Sequence, residues 1–145
     1  AAFAVGELAL AHRYLGRLAR TLIDERGYAN ECYRGDRAEP RNSCPLLGFS
    51  VAPFLALLFE HLWGIRPQLD RGQVEIAPAL PADWTVGSLR GLRLGAGRLD
   101  LELRAGALAV RYDGPEPVTL LGPGGLRSPA GASVQLEIPR SSKGS

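Results

Sequence analysis

A chain of 145 residues, 46% hydrophobic and 22% charged, has the composition of one ordinary globular domain or two small ones, which excludes a chain disordered throughout. The net charge of +2 comes from singly scattered arginines, with Lys143 the lone lysine, so there is no basic patch and neither nucleic acid nor a membrane surface is expected as a partner. The longest apolar run, Val51–Leu58, is too short to span a bilayer.

Methionine is absent and the first residues already read as mid-helix, so the chain is read as a processed product or a piece of something larger. No basic n-region or cleavage motif is present, which points to a cytoplasmic protein. Residues 3–25 are predicted as a helix, with Leu8, Leu15, Leu18 and Leu22 at helical spacing and Arg13, Arg17, Arg20 and Asp24 on the remaining face. Gly6 and Gly16 are poor helix formers there and imply close packing; Gly27 is predicted as the left-handed cap. His12 reads as a packing or surface residue.

The stretch Gly27–Ser50 is rich in loop formers and has no periodicity of its own, which marks a functional or disordered connection. Within it Tyr28, Tyr33 and Phe49 flank the carboxylate of Glu31. Rings stack on the apolar faces of pyranose sugars while acids bond their hydroxyls, so this grouping suits sugar; a solvated connection with an ordinary surface Glu is the plain alternative. Tyr28, Tyr33 and Arg34 stand close enough in sequence to supply hydroxyl or guanidinium donors to Glu31 and a bound sugar. Asp36 and Glu39 read as surface or turn residues. Cys32 and Cys44 are compatible with a disulfide or with two thiols, and thiols are favoured. No CxxC pair or His cluster accompanies them, so no metal site is expected.

Ser50 is predicted as an N-cap, with Pro53 in the first turn of a helix Val51–Trp63. That helix is apolar nearly all round and should be buried on every face, by the rest of a larger helical body or by another copy of the chain. Gly64 caps it and Pro67 prevents continuation. From Gln73 the period changes to two. Strands are predicted at Val74–Ile76, Ser88–Leu94 (broken by Gly91), Arg98–Arg104, Leu108–Tyr112, Val118–Leu121 and Val134–Ile138, with Asp113-Gly114-Pro115 as a turn. Trp84, after a Pro-rich turn, is predicted as core. The fold class is therefore α+β, a helical hairpin over 1–68 followed by an antiparallel β-sandwich over 69–145. No GxGxxG, P-loop, HExxH or GxSxG is present, and Gly122–Gly125 is a turn with no helix after it to cradle a phosphate.

The motif order is distinctive: a helix, G-x-x-x-E at Gly27–Glu31, Gly35-Asp36, a Pro/Arg turn, a Ser-Val-Ala helix start at Ser50, W-G-I-R-P at Trp63–Pro67 and P-x-L-P-x-x-W at Pro78–Trp84. This resembles the C-terminal end of (α/α)6-toroid glycoside hydrolases, with the amylo-alpha-1,6-glucosidase (glycogen-debranching) type the nearest likeness and glucoamylases and the maltose and trehalose phosphorylases more distant. The resemblance covers about Gly27 to Tyr112 and implies that the helical part is the last hairpin of the toroid. It also implies that Glu31 is the general base of an inverting hydrolysis of an α-glucan or related oligosaccharide, a reaction that needs no cofactor. Inversion needs a second carboxyl as acid, roughly 6.5–9.5 Å from the base; in such enzymes it lies upstream, so this chain carries half of the pair. Where the family has Gln-Ala-Trp, this sequence has Leu47-Gly48-Phe49, without the sugar-contacting Gln and Trp. The other reading is a non-catalytic structural or carbohydrate-binding module of a larger carbohydrate-active protein.

Overall fold

The structure, a computed structural model, describes residues 3, 5–20, 34, 36 and 48–139, the last range with backbone alone for 48–50. The chain divides into two compact units, Ala1–Leu62 and Trp63–Ser145.

In the first unit, α1 spans Leu8–Ala19 and buries Ala11 and Leu15, one helical turn apart on the predicted face. Gly6 lies before the helix rather than inside it: at φ +78 it takes a turn conformation, its N–H donating to the Phe3 carbonyl at 3.2 Å. Among the described residues, no atom lies within 4 Å of the Cβ position at Gly16. α2 spans Gly48–Ala56, so Ser50 lies inside the helix and is not its cap. It runs into a π-helical segment, Leu57–Leu62. Phe54 and Leu62 are buried, but Val51 and Leu55 are 37% and 40% exposed, so within this chain the helix is not covered on every face. The Phe3 ring stacks on His61 at 5.6 Å and meets His12 edge-on at 5.7 Å. No described helix is long and apolar enough to cross a membrane.

The second unit is a six-stranded sheet: β1 (Ile65–Gln68), β2 (Gln73–Ile76), β3 (Val86–Leu94), β4 (Gly97–Arg104), β5 (Ala107–Leu121) and β6 (Gly131–Pro139). The path is β1-β2-β5-β4-β3, with β6 paired to β5. The predicted fold class is corrected here. The protein is mostly β, a helical hairpin is not shown, and in place of an antiparallel sandwich there is one curled mixed sheet. Three findings account for the difference. First, β2 pairs with β5 in parallel, through Gln73↔Thr119, Val74↔Leu120 and Glu75↔Leu121. Second, β1 occupies residues read as the end of the helical part; its Pro67 is tolerated because β1 is an edge strand. Third, Asp113-Gly114-Pro115 is no turn: β5 runs straight through it, with a register shift against β6 between Asp113 and Val118. One long strand thereby joins both groups of partners, and no second sheet is needed.

Strict alternation builds the core. Leu99, Leu101 and Leu103 of β4, Leu108, Val110, Tyr112, Val118 and Leu120 of β5, and Val134, Leu136 and Ile138 of β6 are buried, with Val74 and Ile76 of β2. Each such side chain contributes roughly 1.5–3 kcal/mol of transfer free energy. Two-residue hairpins at Gly95-Ala96 and Ala105-Gly106 set the register, with φ positive at Gly95, Ala105 and Gly106. Gly91, which interrupts the alternation of β3, sits at φ +67 in a register irregularity, its N–H donating to Asp100 Oδ1 at 2.6 Å.

Two core details carry expected outcomes. Ser128 is the buried polar residue of the core among the described residues; its Oγ accepts from the Leu120 N–H at 2.8 Å. Ser128→Ala leaves that buried donor unpaired and is expected to lower stability by about 1–3 kcal/mol, read from a chemical denaturation curve. The Tyr112 side chain fills the space that a Cβ at Gly97 or Gly114 would take. Gly97→Ala is therefore expected to cost about 1–3 kcal/mol by displacing a ring that is 2% exposed, and the loss should shrink in a Tyr112→Ala background.

Candidate functional site

In the β-rich unit, a groove of about 490 Å³ opens beside the start of β3. Its lining comes from two places in the chain, Trp63 and the run Asp83–Ser88. Trp63 opens the W-G-I-R-P block and is 5% exposed. Asp83 and Trp84 sit on the turn whose Trp84 N–H donates to the Pro81 carbonyl at 3.1 Å. Thr85, Val86, Gly87 and Ser88 lead into β3, pinned by the Ala105 N–H donating to the Thr85 carbonyl at 3.0 Å. Gly87 faces Leu103 in the ladder, and a Cβ on it would come to 3.6 Å from Trp63 Cη2. The strand backbone at Gly87 therefore lies close over the edge of the buried indole. Trp84 is 39% exposed, so it is not the core residue that its Pro-rich turn suggested.

A second recess lies on the solvent face of β3–β6, where outward positions of neighbouring strands line up as Glu102–Ala109–Glu137 and Asp100–Arg111–Gln135. Glu102 is engaged by Arg104 at 2.7 Å and by Arg90 at 3.8 Å. These are solvent-facing ion pairs, worth little individually, and they explain the recess as a hydrated polar face.

Of the residues expected to form a sugar site, Glu31, Tyr28 and Tyr33 lie outside the described residues, as do Cys32, Cys44 and Glu39. Arg34 is described: its side chain is 45% exposed and its Nε donates to Asp36 Oδ1 at 3.3 Å. Asp36 is exposed, as a turn carboxylate should be. Among the described residues no group of three or more His, Cys, Asp or Glu is placed to hold a metal ion. The W-G-I-R-P block has an architectural role, pairing with the strand that ends just before the P-x-L-P-x-x-W block. Gly64, at φ +69, accepts from the Ala77 N–H at 2.9 Å; Ile65 is buried opposite Ile76, and Arg66 faces Glu75 at 3.4 Å. Sequence reading missed the groove. The signal for it was Gly87 between Val86 and Ser88, with Asp83 beside the ring. No family model, curated protein or solved structure matches this chain.

Proposed function

We propose that this chain is the C-terminal segment of a glycoside hydrolase of the amylo-alpha-1,6-glucosidase-like type. It acts on an α-glucan or related oligosaccharide by an inverting two-carboxylate mechanism. Glu31 is the general base that activates water, and Tyr28, Tyr33 and Arg34 contact the substrate. The acid comes from an upstream part of a longer protein. The observation that carries this reading is the motif order: Gly27-x-x-x-Glu31 and Gly35-Asp36, then Trp63–Pro67, then Pro78–Trp84, in one direction and at close spacing. The exposed Val51 and Leu55 on an otherwise apolar helix support a further covering body, the remainder of the parent or a second copy. The cytoplasm is the compartment that suits Cys32 and Cys44 as thiols.

Two assays on maltooligosaccharides test the reading. The chain by itself is expected to release no sugar, because one carboxyl cannot both protonate the leaving oxygen and activate the water on the opposite face. The parent carrying Glu31→Gln is expected to lose turnover. Hydrolysis by the chain alone, or an unimpaired Gln variant, removes Glu31 from the role.

A further inference from the structure

We infer that the groove at Trp84 is a binding site for a neutral saccharide, separate in its residues from the Glu31 loop. The chemistry of the lining selects the ligand. A pyranose ring has an apolar C–H face and a rim of hydroxyls. The groove sets a partly exposed indole beside a carboxylate, Asp83, and the hydroxyls of Thr85 and Ser88. An indole face accepts a flat C–H surface, and a carboxylate accepts hydrogen bonds from two adjacent hydroxyls, with each charge-assisted bond stronger than a neutral one. Asp83 also disfavours the phosphates of a nucleotide, which stacking on Trp84 would otherwise suit. Gly87 adds no side chain of its own to this lining.

One exposed indole receives one sugar ring, so binding is weak, with a dissociation constant of about 0.1–10 mM. The site therefore holds a saccharide near the protein rather than reacting with it, and the choice of a glucan as that saccharide rests on the proposed function. It remains a binding site whether or not Glu31 is a base, since it uses none of that loop's residues.

The chain contains two tryptophans, and both line this groove, so intrinsic fluorescence reports on it directly. The test is a fluorescence titration of the intact chain with maltoheptaose. A saturable change is expected, with half-saturation in the range of about 0.1–10 mM. Asp83→Asn should weaken binding severalfold. Gly87→Val, which adds a branched side chain to the lining at a strand position with ordinary backbone, should abolish the change while the thermal melt keeps its cooperativity. Trp84→Ala should abolish it too, and Trp84→Phe should keep part of the affinity by isothermal calorimetry. Gly87→Val and Asp83→Asn keep the test decisive should Trp84→Ala fail to fold. The absence of a saturable change up to about 50 mM maltoheptaose overturns the assignment. So does binding that survives both Gly87→Val and Trp84→Phe unchanged, or a fluorescence change that depends on protein concentration and not on sugar, which would make the groove a contact between copies.

Discussion

Under the proposed function, turnover of maltooligosaccharides by the parent protein is expected to fall about 10²–10⁴-fold when Glu31 is replaced by Gln, the usual worth of a positioned general base. The substitution keeps the side chain's size and much of its hydrogen bonding but removes the ability to take a proton from water. A base must be ionised at working pH, so its carboxylate needs donors around it rather than a dry apolar pocket. Under the proposed function, Tyr28, Tyr33 and Arg34 are the residues close enough in sequence to supply such donors, and Arg34 pairs with a neighbouring carboxylate, Asp36. The loss should fall on kcat more than on KM, because a proton transfer is made in the transition state and not in the bound ground state. Thermal stability should change little. A stopped assay of released reducing ends, with the melting curve beside it, separates loss of chemistry from loss of fold.

The largest stability effect is expected at Gly64. Its φ of +69 disfavours any residue with a Cβ, and that Cβ would coincide with the Ala77 carbonyl, a backbone group that cannot swing aside. The left-handed conformation alone costs roughly 1–2 kcal/mol, and forced overlap in a packed interior typically costs another 1–3 kcal/mol. Gly64→Ala should therefore lose roughly 2–5 kcal/mol, a large fraction of the stability of a small domain. Gly124 is a control: it sits at φ +68 with no atom within 4 Å of its Cβ position. Gly124→Ala should show the conformational cost alone. Urea denaturation of both variants measures the difference; equal midpoints would mean that the Gly64–Ala77 contact carries no energy.

Where residues alternate without interruption, sequence and structure agree. Leu99, Leu101 and Leu103 declare β4, and Val134, Leu136 and Ile138 declare β6, because a half-buried strand has no other way to place its apolar atoms. The turn at Pro81–Trp84 was legible for the same local reason, since Pro sets its geometry. Misreadings arise where tertiary pairing overrides local chemistry. Asp113-Gly114-Pro115 has the composition of a turn, yet β5 continues through it, paired with β6 at Asp113 and again at Val118. Pro67 reads as a stop, yet an edge strand needs no N–H there. Nothing in a two-residue period says which way a neighbouring strand runs, so the parallel pairing of β2 with β5 was illegible. Trp84 shows the limit at the candidate site. Sequence placed it on a turn beside a strand, but nothing in its local pattern says how much of the indole other parts of the chain leave uncovered. For Glu31, the motif remains the whole of the argument.

The parallel rung between β2 and β5 bears on the order in which the molecule assembles. β4, β5 and β6 join through short loops and close early, since little chain entropy is lost in bringing neighbours together. The hairpin of β1 and β2 finds Thr119–Leu121 only after that segment exists, and it does so across most of the length of the β-rich unit through three residue pairs. It is therefore the last piece to dock and the first to lift away, a unit that can open on its own while the β4–β6 meander stays folded. Trp63 and Gly64 lie immediately before this hairpin, so transient undocking would loosen the wall of the groove that Trp63 supplies and leave the Trp84 side in place.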